Sequence, residues 1–152
     1  MTSNHGTGRK RFAWLAMLLA TMVFVGGCDE VRTPKVQDAE PLAQKLFEAE
    51  KQQDWDKVIN CYGKAFFRTG SKEAWLSYLK HVNQVLGPLK SYTLESETAD
   101  TRFSGDFYIL QYHTIYARGD AHEIITIREP SDKDVMHIIG HHIASDKLLA
   151  GG

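Results

Sequence analysis

Five histidines crowd the last third of the chain: His113, His122, His137, His141 and His142. Imidazole is both a metal ligand and a proton carrier near neutral pH. If the turn at Arg118-Gly119 pairs His113 with Thr126, and the next turn pairs Thr126 with His137, then alternation puts His113, His122, His137 and His141 on one sheet face and His142 on the other. Zinc or copper would need three or four of those nitrogens at about 2.0–2.1 Å. The spacing opposes this. His137 and His141 stand roughly 13 Å apart along a strand, and His113 and His137 about 9–10 Å apart across an intervening one. No metal or other cofactor is expected, and His113, His137 and His141 are candidates only if the strand bends sharply. The opposite face would carry Tyr108, Tyr112 and Tyr116, with Glu123 and His142 in reach of any cavity there. A carboxylate base beside a tyrosine donor can move protons on a carbonyl compound. Tyrosines at strand spacing are more often core groups with one wet end. Glu123 lies near a strand end, and the chain holds no nucleophile motif or phosphate loop, so no catalytic residue is expected.

The other reactive group is the thiol of Cys28. Arg9, Lys10 and Arg11 precede an uncharged apolar run from Phe12 to Val25, then Gly26, Gly27 and Cys28. A charged start, an apolar run of about 7–15 residues and small residues at a cut site define an export signal. The run is shorter than the roughly 20 residues of a transmembrane helix. Val25-Gly26-Gly27-Cys28 resembles the bacterial lipobox, with valine where leucine is favoured. The resemblance implies diacylglyceryl transfer to the Cys28 sulfur, cleavage before it and mature chains that carry acyl groups. More than one acyl chain gives stable anchoring at roughly 0.8 kcal/mol per buried methylene. Asp29 and Glu30 resemble a signal that retains lipoproteins in the inner membrane. The expectation is a bacterial membrane lipoprotein facing the periplasm, on the inner membrane rather than the outer. Cys61 is then without a partner and reads as a buried apolar thiol.

These groups must be held by a domain. The 152 residues have 24% charged and 43% hydrophobic composition and a net charge of −1, a globular profile with no basic surplus for nucleic acid. We divide the chain into a signal peptide at 1–27, a lipidated tether at 28–40, an α+β domain at 41–144 and a frayed tail at 145–152. Pro41 opens a helix with Leu42, Leu46 and Phe47 on one face. Asp54 caps a second, short one bearing Trp55, Val58, Ile59 and Tyr62. Ser71 caps a third, striped by Trp75, Tyr78, Leu79, Val82 and Leu86, which Gly87-Pro88 ends. The period then changes to two, predicting strands over 89–94, 107–116, 122–128 and 135–143. Trp75 is expected to be a core anchor.

Helices followed by an antiparallel meander imply N-terminal helices packed on a curved four-stranded antiparallel sheet. That order is similar to the cystatin-like, nuclear-transport-factor-like fold. Asp54-Trp55, Ser71-Lys72-Glu73-Ala74-Trp75, Leu86-Gly87-Pro88-Leu89-Lys90-Ser91, Tyr108-Ile109-Leu110-Gln111-Tyr112 and Ile138-Ile139-Gly140-His141-His142-Ile143 resemble one uncharacterised family of exported bacterial proteins with that fold. Met136 stands where that family usually has tryptophan. The resemblance implies a fold and no reaction. Residues 49–65 also look like one tetratricopeptide unit, but a lone unit cannot bury its apolar face.

The functional expectation is a membrane-tethered, non-catalytic binding or interaction module of the cell envelope. Its partners would be the membrane, through lipid on Cys28, and another envelope protein or a small apolar ligand. The alternatives are an isomerase- or hydratase-like enzyme with a cavity between helix and sheet, and a metal-handling lipoprotein. A cavity with a buried carboxylate would favour the enzyme, and converging imidazoles would favour metal.

Overall fold

A computed structural model of the chain describes residues 35–132 and 134–150. Cys28, Asp29 and Glu30 lie outside the described residues. A single 3-10 turn, Val36–Asp38, leads into three helices: α1 (Glu40–Lys51), α2 (Trp55–Asn60) and α3 (Lys72–Leu86). Four strands follow, β1 (Leu89–Arg102), β2 (Gly105–Tyr116), β3 (Asp120–Pro130) and β4 (His137–Ala144), then a short α4 (Asp146–Ala150). No helix among the described residues is long and apolar enough to cross a membrane.

The caps are where the side-chain chemistry places them. The Asp54 carboxylate accepts from the Lys57 N–H, and the Ser71 hydroxyl accepts from the Ala74 N–H, each satisfying a first-turn donor. Gly87 sits at φ +82°, a conformation that costs a side-chain-bearing residue, and turns the chain from α3 into β1.

The sheet is a meander in the order β1-β2-β3-β4, every neighbour antiparallel. Tyr108, Leu110, Tyr112, Thr114 and Tyr116 of β2, with Ala121, Glu123, Ile125 and Ile127 of β3, form its buried face. Against it lie Ala43, Leu46 and Phe47 of α1 and Leu79, Val82 and Leu86 of α3. Phe47 stacks on Tyr92 at 4.6 Å and meets Tyr112 edge-on at 4.8 Å. These geometries let the ring quadrupoles attract.

The strands β2, β3 and β4 differ from the reading of the sequence by one or two residues at their ends, and three boundaries differ by more. Val36 and Ala39 are buried, so the domain begins before residue 41. Residues 95–102 extend β1, because pairing with β2 supplies backbone partners that the polar side chains do not advertise. Residues 146–150 form α4 in the stretch read as a tail. The register differs as well. A tight turn (Tyr116 N–H to the Gly119 carbonyl, 2.8 Å) pairs His113 with His122, not with Thr126. Thr126 pairs with Gly140, and His137 with Arg128.

Candidate functional site

The decisive local feature is a register shift in β4. Thr126 faces Gly140 while the next residue, Ile127, faces Ile138, so Ile139 is an extra residue. One inserted residue reverses the phase of everything beyond it. His141 therefore points inward, with no side-chain surface exposed, and His142 is exposed. The alternation rule put His141 outside and His142 inside. The bulge corrects both.

Inside, His141 meets Glu123. The two are 2.8 Å apart, Nε2 to Oε2, and the Glu123 side chain is equally sealed. Glu123 Oε1 accepts from the Thr114 hydroxyl and the Tyr116 hydroxyl, both at 2.8 Å. On its other side the His141 Nδ1 lies 2.7 Å from the Tyr62 hydroxyl. A neutral imidazole satisfies both contacts when Nε2–H donates to Glu123 and Nδ1 accepts from Tyr62, and we assign that tautomer from the network. The result is a hydroxyl–imidazole–carboxylate chain from Tyr62 to Glu123.

Tyr62 is held there by backbone pairing. The Ile138 N–H donates to the Cys61 carbonyl at 3.1 Å, and the Gly63 N–H to the Ile138 carbonyl at 2.9 Å, a one-residue parallel bridge onto β4. Gly63 is required for this approach, since a Cβ there would lie 2.8 Å from that of His137.

The chain continues to a second carboxyl. The Tyr116 hydroxyl also lies 3.0 Å from Glu50 Oε1. A phenol has one proton and here faces two acidic groups. The arrangement is satisfied when Tyr116 donates to Glu123 and a protonated Glu50 donates to the Tyr116 oxygen. Glu50 is fully buried, and its Oε2 has no hydrogen-bond partner. Burial, reinforced by the negative Glu123, pushes its pKa up to about 8. Burial also drives the Tyr116 and Tyr62 hydroxyls far above their ordinary values. The nearby indole N–H of Trp75 opposes the shift at Tyr62 without completing a hydrogen bond.

A pocket of about 460 Å³ adjoins this chain, lined by Phe66, Phe67, Trp75, Ile139, Gly140 and His141. Phe66 packs on Trp75 at 5.0 Å and on Phe67 at 5.1 Å, and Trp75 lies 5.6 Å from the His141 ring. Trp75 is thus half-buried as a pocket wall rather than enclosed in the core. The imidazole itself stays sealed behind that wall.

Of the residues singled out by type and spacing, Tyr116 and Glu123 come together, and His141 joins them. Tyr108 binds Glu129 at 3.3 Å, and the Tyr112 hydroxyl is buried without a partner, so neither enters the cluster. His113 lies on the outer face against Asp120 at 3.0 Å and stacks at 5.1 Å on His122, which contacts Glu95. His137 opens β4 beside Gly63. The candidate metal residues are therefore split between opposite faces, and the described residues contain no metal-holding group of three. Glu50 was missed. Its signal was present, because it stands four residues after Leu46 and three after Phe47, a carboxylate on the apolar stripe of α1.

No protein-family model matches the chain, and no curated protein matches it. Solved structures do. A cystatin-like protein of unknown function from Nostoc punctiforme superposes with a TM-score of 0.54 at 11% identity, over 70% of this chain and 87% of its own. An NTF2-like protein of unknown function from Pseudomonas putida gives 0.50 at 13%, over 72% and 84%. Bd1075 of Bdellovibrio bacteriovorus gives 0.51 at 16% over 71% of this chain, which spans only 39% of that protein's length. At these identities the likeness is one of fold, and the fold is cystatin-like and NTF2-like, as the order of elements implied.

Proposed function

We propose that this chain is a lipid-anchored protein of the bacterial envelope whose NTF2-like domain binds a small, largely apolar ligand in the aromatic pocket between the start of α3 and β4. The observation that carries the binding reading is the pocket itself. Its volume of about 460 Å³ falls in the range of small-molecule sites, roughly 300–1,000 Å³, and aromatic rings form much of its wall. Behind it the His141 and Glu123 side chains are bonded to each other and sealed from solvent. Binding without turnover fits that arrangement. Trp75 is its natural reporter. Its emission is expected to change on titration with a panel of apolar aromatic compounds, in protein carrying Trp55→Phe, and Trp75→Ala is expected to weaken binding at least tenfold. A panel that leaves the emission unchanged would remove this reading.

The anchoring part rests on the sequence around Cys28. Cys28→Ser is expected to accumulate as an uncleaved precursor without acyl label, because the thiol is the acceptor in the lipobox. Metabolic labelling with a palmitate analogue and fractionation of membranes check this. A shortened, membrane-held Cys28→Ser protein would overturn it.

One observation favours a second reading, an isomerase- or hydratase-like enzyme: the Tyr62–His141–Glu123 chain lies directly behind the pocket wall. Proton transfer would require the His141 ring to turn out of its two hydrogen bonds toward a bound ligand. Exchange of solvent deuterium into a bound ketone, lost in His141→Gln, would mark that activity.

A further inference from the structure

The hairpin of β1 and β2 carries an apolar side chain that the domain leaves in water. Arg102 pairs with Gly105, so Phe103 and Ser104 form a two-residue turn at its tip. Phe103 is fully exposed, the most exposed large apolar side chain among the described residues. The tip is braced by β3, where Arg128 donates its Nε–H to the Ser104 carbonyl at 3.1 Å. The Arg102 and Arg128 guanidinium groups lie 4.9 and 6.0 Å from the centroid of the Phe107 ring. Val135, also exposed, follows β3 at the same end of the sheet, since Pro130 pairs with Gly105. The chain enters the domain at this end too. Phe47 meets Tyr112 and Glu50 reaches Tyr116, so α1 runs toward Tyr116 and starts toward Tyr108. Burial pushes the Tyr108 hydroxyl up to about 12, and the carboxylates of Glu129, Asp106 and Asp38 add to the shift, which puts the 3-10 turn before α1 near Tyr108. Val36 of that turn is buried, and the turn packs on β1.

We propose, building on the lipid anchor at Cys28, that this end of the sheet docks on the bilayer that holds the lipid, with Phe103 buried in the headgroup layer. Three physical points support the assignment. The first is reach. Lys35 is seven positions after Cys28, a span of at most about 25 Å at 3.3–3.6 Å per residue. β2 has 12 residues and is about 40 Å long at 3.4 Å per residue. The tether is therefore too short to let the opposite end of the sheet, with Leu149 of α4, face the bilayer while Phe103 points away. The second is chemistry. An apolar ring flanked by arginines suits the headgroup boundary, where the ring leaves water and the arginine stems lie along apolar surface with their charges wet. The third is charge. Asp100, Asp132 and Asp134 stand at this end beside Arg102 and Arg128. It carries no positive surplus, so the contact is apolar rather than electrostatic.

The test attaches a nitrobenzoxadiazole fluorophore to Ser104→Cys in the full lipidated chain, where the Cys28 sulfur is acylated and Cys61 is buried. The protein is reconstituted in phosphatidylcholine vesicles with and without a lipid that carries a nitroxide near its headgroup. The nitroxide is expected to quench this fluorophore about twofold and to leave one at Leu149→Cys unquenched, because only the first lies at the headgroup boundary. In Phe103→Ser/Ser104→Cys the quenching should fall to the level seen at Leu149→Cys. Equal quenching at the two ends, or none at either, would overturn the docking while the anchoring reading stands. Quenching at Ser104→Cys that survives Phe103→Ser would overturn the role given to Phe103. A chain that carries no acyl group and stays out of the vesicles would overturn the anchoring reading and this inference with it.

Discussion

Glu50→Gln is expected to make the domain more stable at pH 8 while leaving it nearly unchanged near pH 4. The sign follows from proton counting. Below pH 4.5 the Glu50 carboxyl is protonated in both folded and unfolded chains. Between 4.5 and about 8 the unfolded chain releases this proton and the folded one keeps it. Stability therefore falls as pH rises across that window, by about 1.4 kcal/mol per unit, until the folded group also ionises. Glutamine resembles the protonated carboxyl in shape, and its amide can donate to the Tyr116 oxygen as the acid does. It has no proton to lose, so its contribution stays level. The gain at pH 8 should reach a few kcal/mol, a large share of a total stability of roughly 5–15. Urea unfolding of both proteins at pH 4.5, 6 and 8 checks this through the difference between the two curves. Parallel curves would mean that Glu50 is not the retained proton.

Glu123→Ala is expected to be among the most damaging single changes in the domain, at about 3–5 kcal/mol. Glu123 is where three donors converge: His141 Nε2–H, the Tyr116 hydroxyl and the Thr114 hydroxyl. Removing it leaves sealed polar groups without partners, and each such group costs about 1–3 kcal/mol. Thr114 has an alternative in the Ala121 carbonyl at 3.1 Å and Tyr116 in Glu50 at 3.0 Å, so the His141 Nε2–H is the donor left stranded. Thermal unfolding should show a loss of ten degrees or more. Glu123→Gln, which keeps the shape and one acceptor oxygen, should recover part of it. A Glu123→Ala protein that melts like the parent would show that water replaces the carboxylate and that the cluster is open. That result would strengthen the enzymatic reading.

Much of this architecture is written in local chemistry. The spacing of Leu46 and Phe47, the caps Asp54 and Ser71, the stop at Gly87-Pro88 and the alternation from Tyr108 to Tyr116 each act within a few residues of themselves. Helices and strands form by such short-range rules, so their order, and from it the fold class, could be read directly. The inward set of β2 and β3, Tyr108, Leu110, Tyr112, Thr114, Tyr116, Ile125 and Ile127, is likewise as alternation requires.

The site is a different matter. Which histidine enters the core depends on one extra residue, Ile139, in β4. A bulge is a compromise between two strands and the Cys61–Gly63 bridge, and no short window of sequence contains all three. Glu50, Tyr116, Glu123 and His141 come from four elements and Tyr62 from the segment after α2, separated by up to 91 positions. Each looks ordinary where it stands: a helix glutamate, strand and turn tyrosines, a glutamate near a strand end, one histidine of a pair. Only packing removes them from water, and removal from water is what holds a proton on Glu50 and ties the carboxyls, phenols and imidazole into one network. The sequence by itself determined the elements, their order and the faces of unbroken strands. The tertiary structure decided the phase beyond the bulge and the protonation of the core, because both depend on distances between residues far apart along the chain.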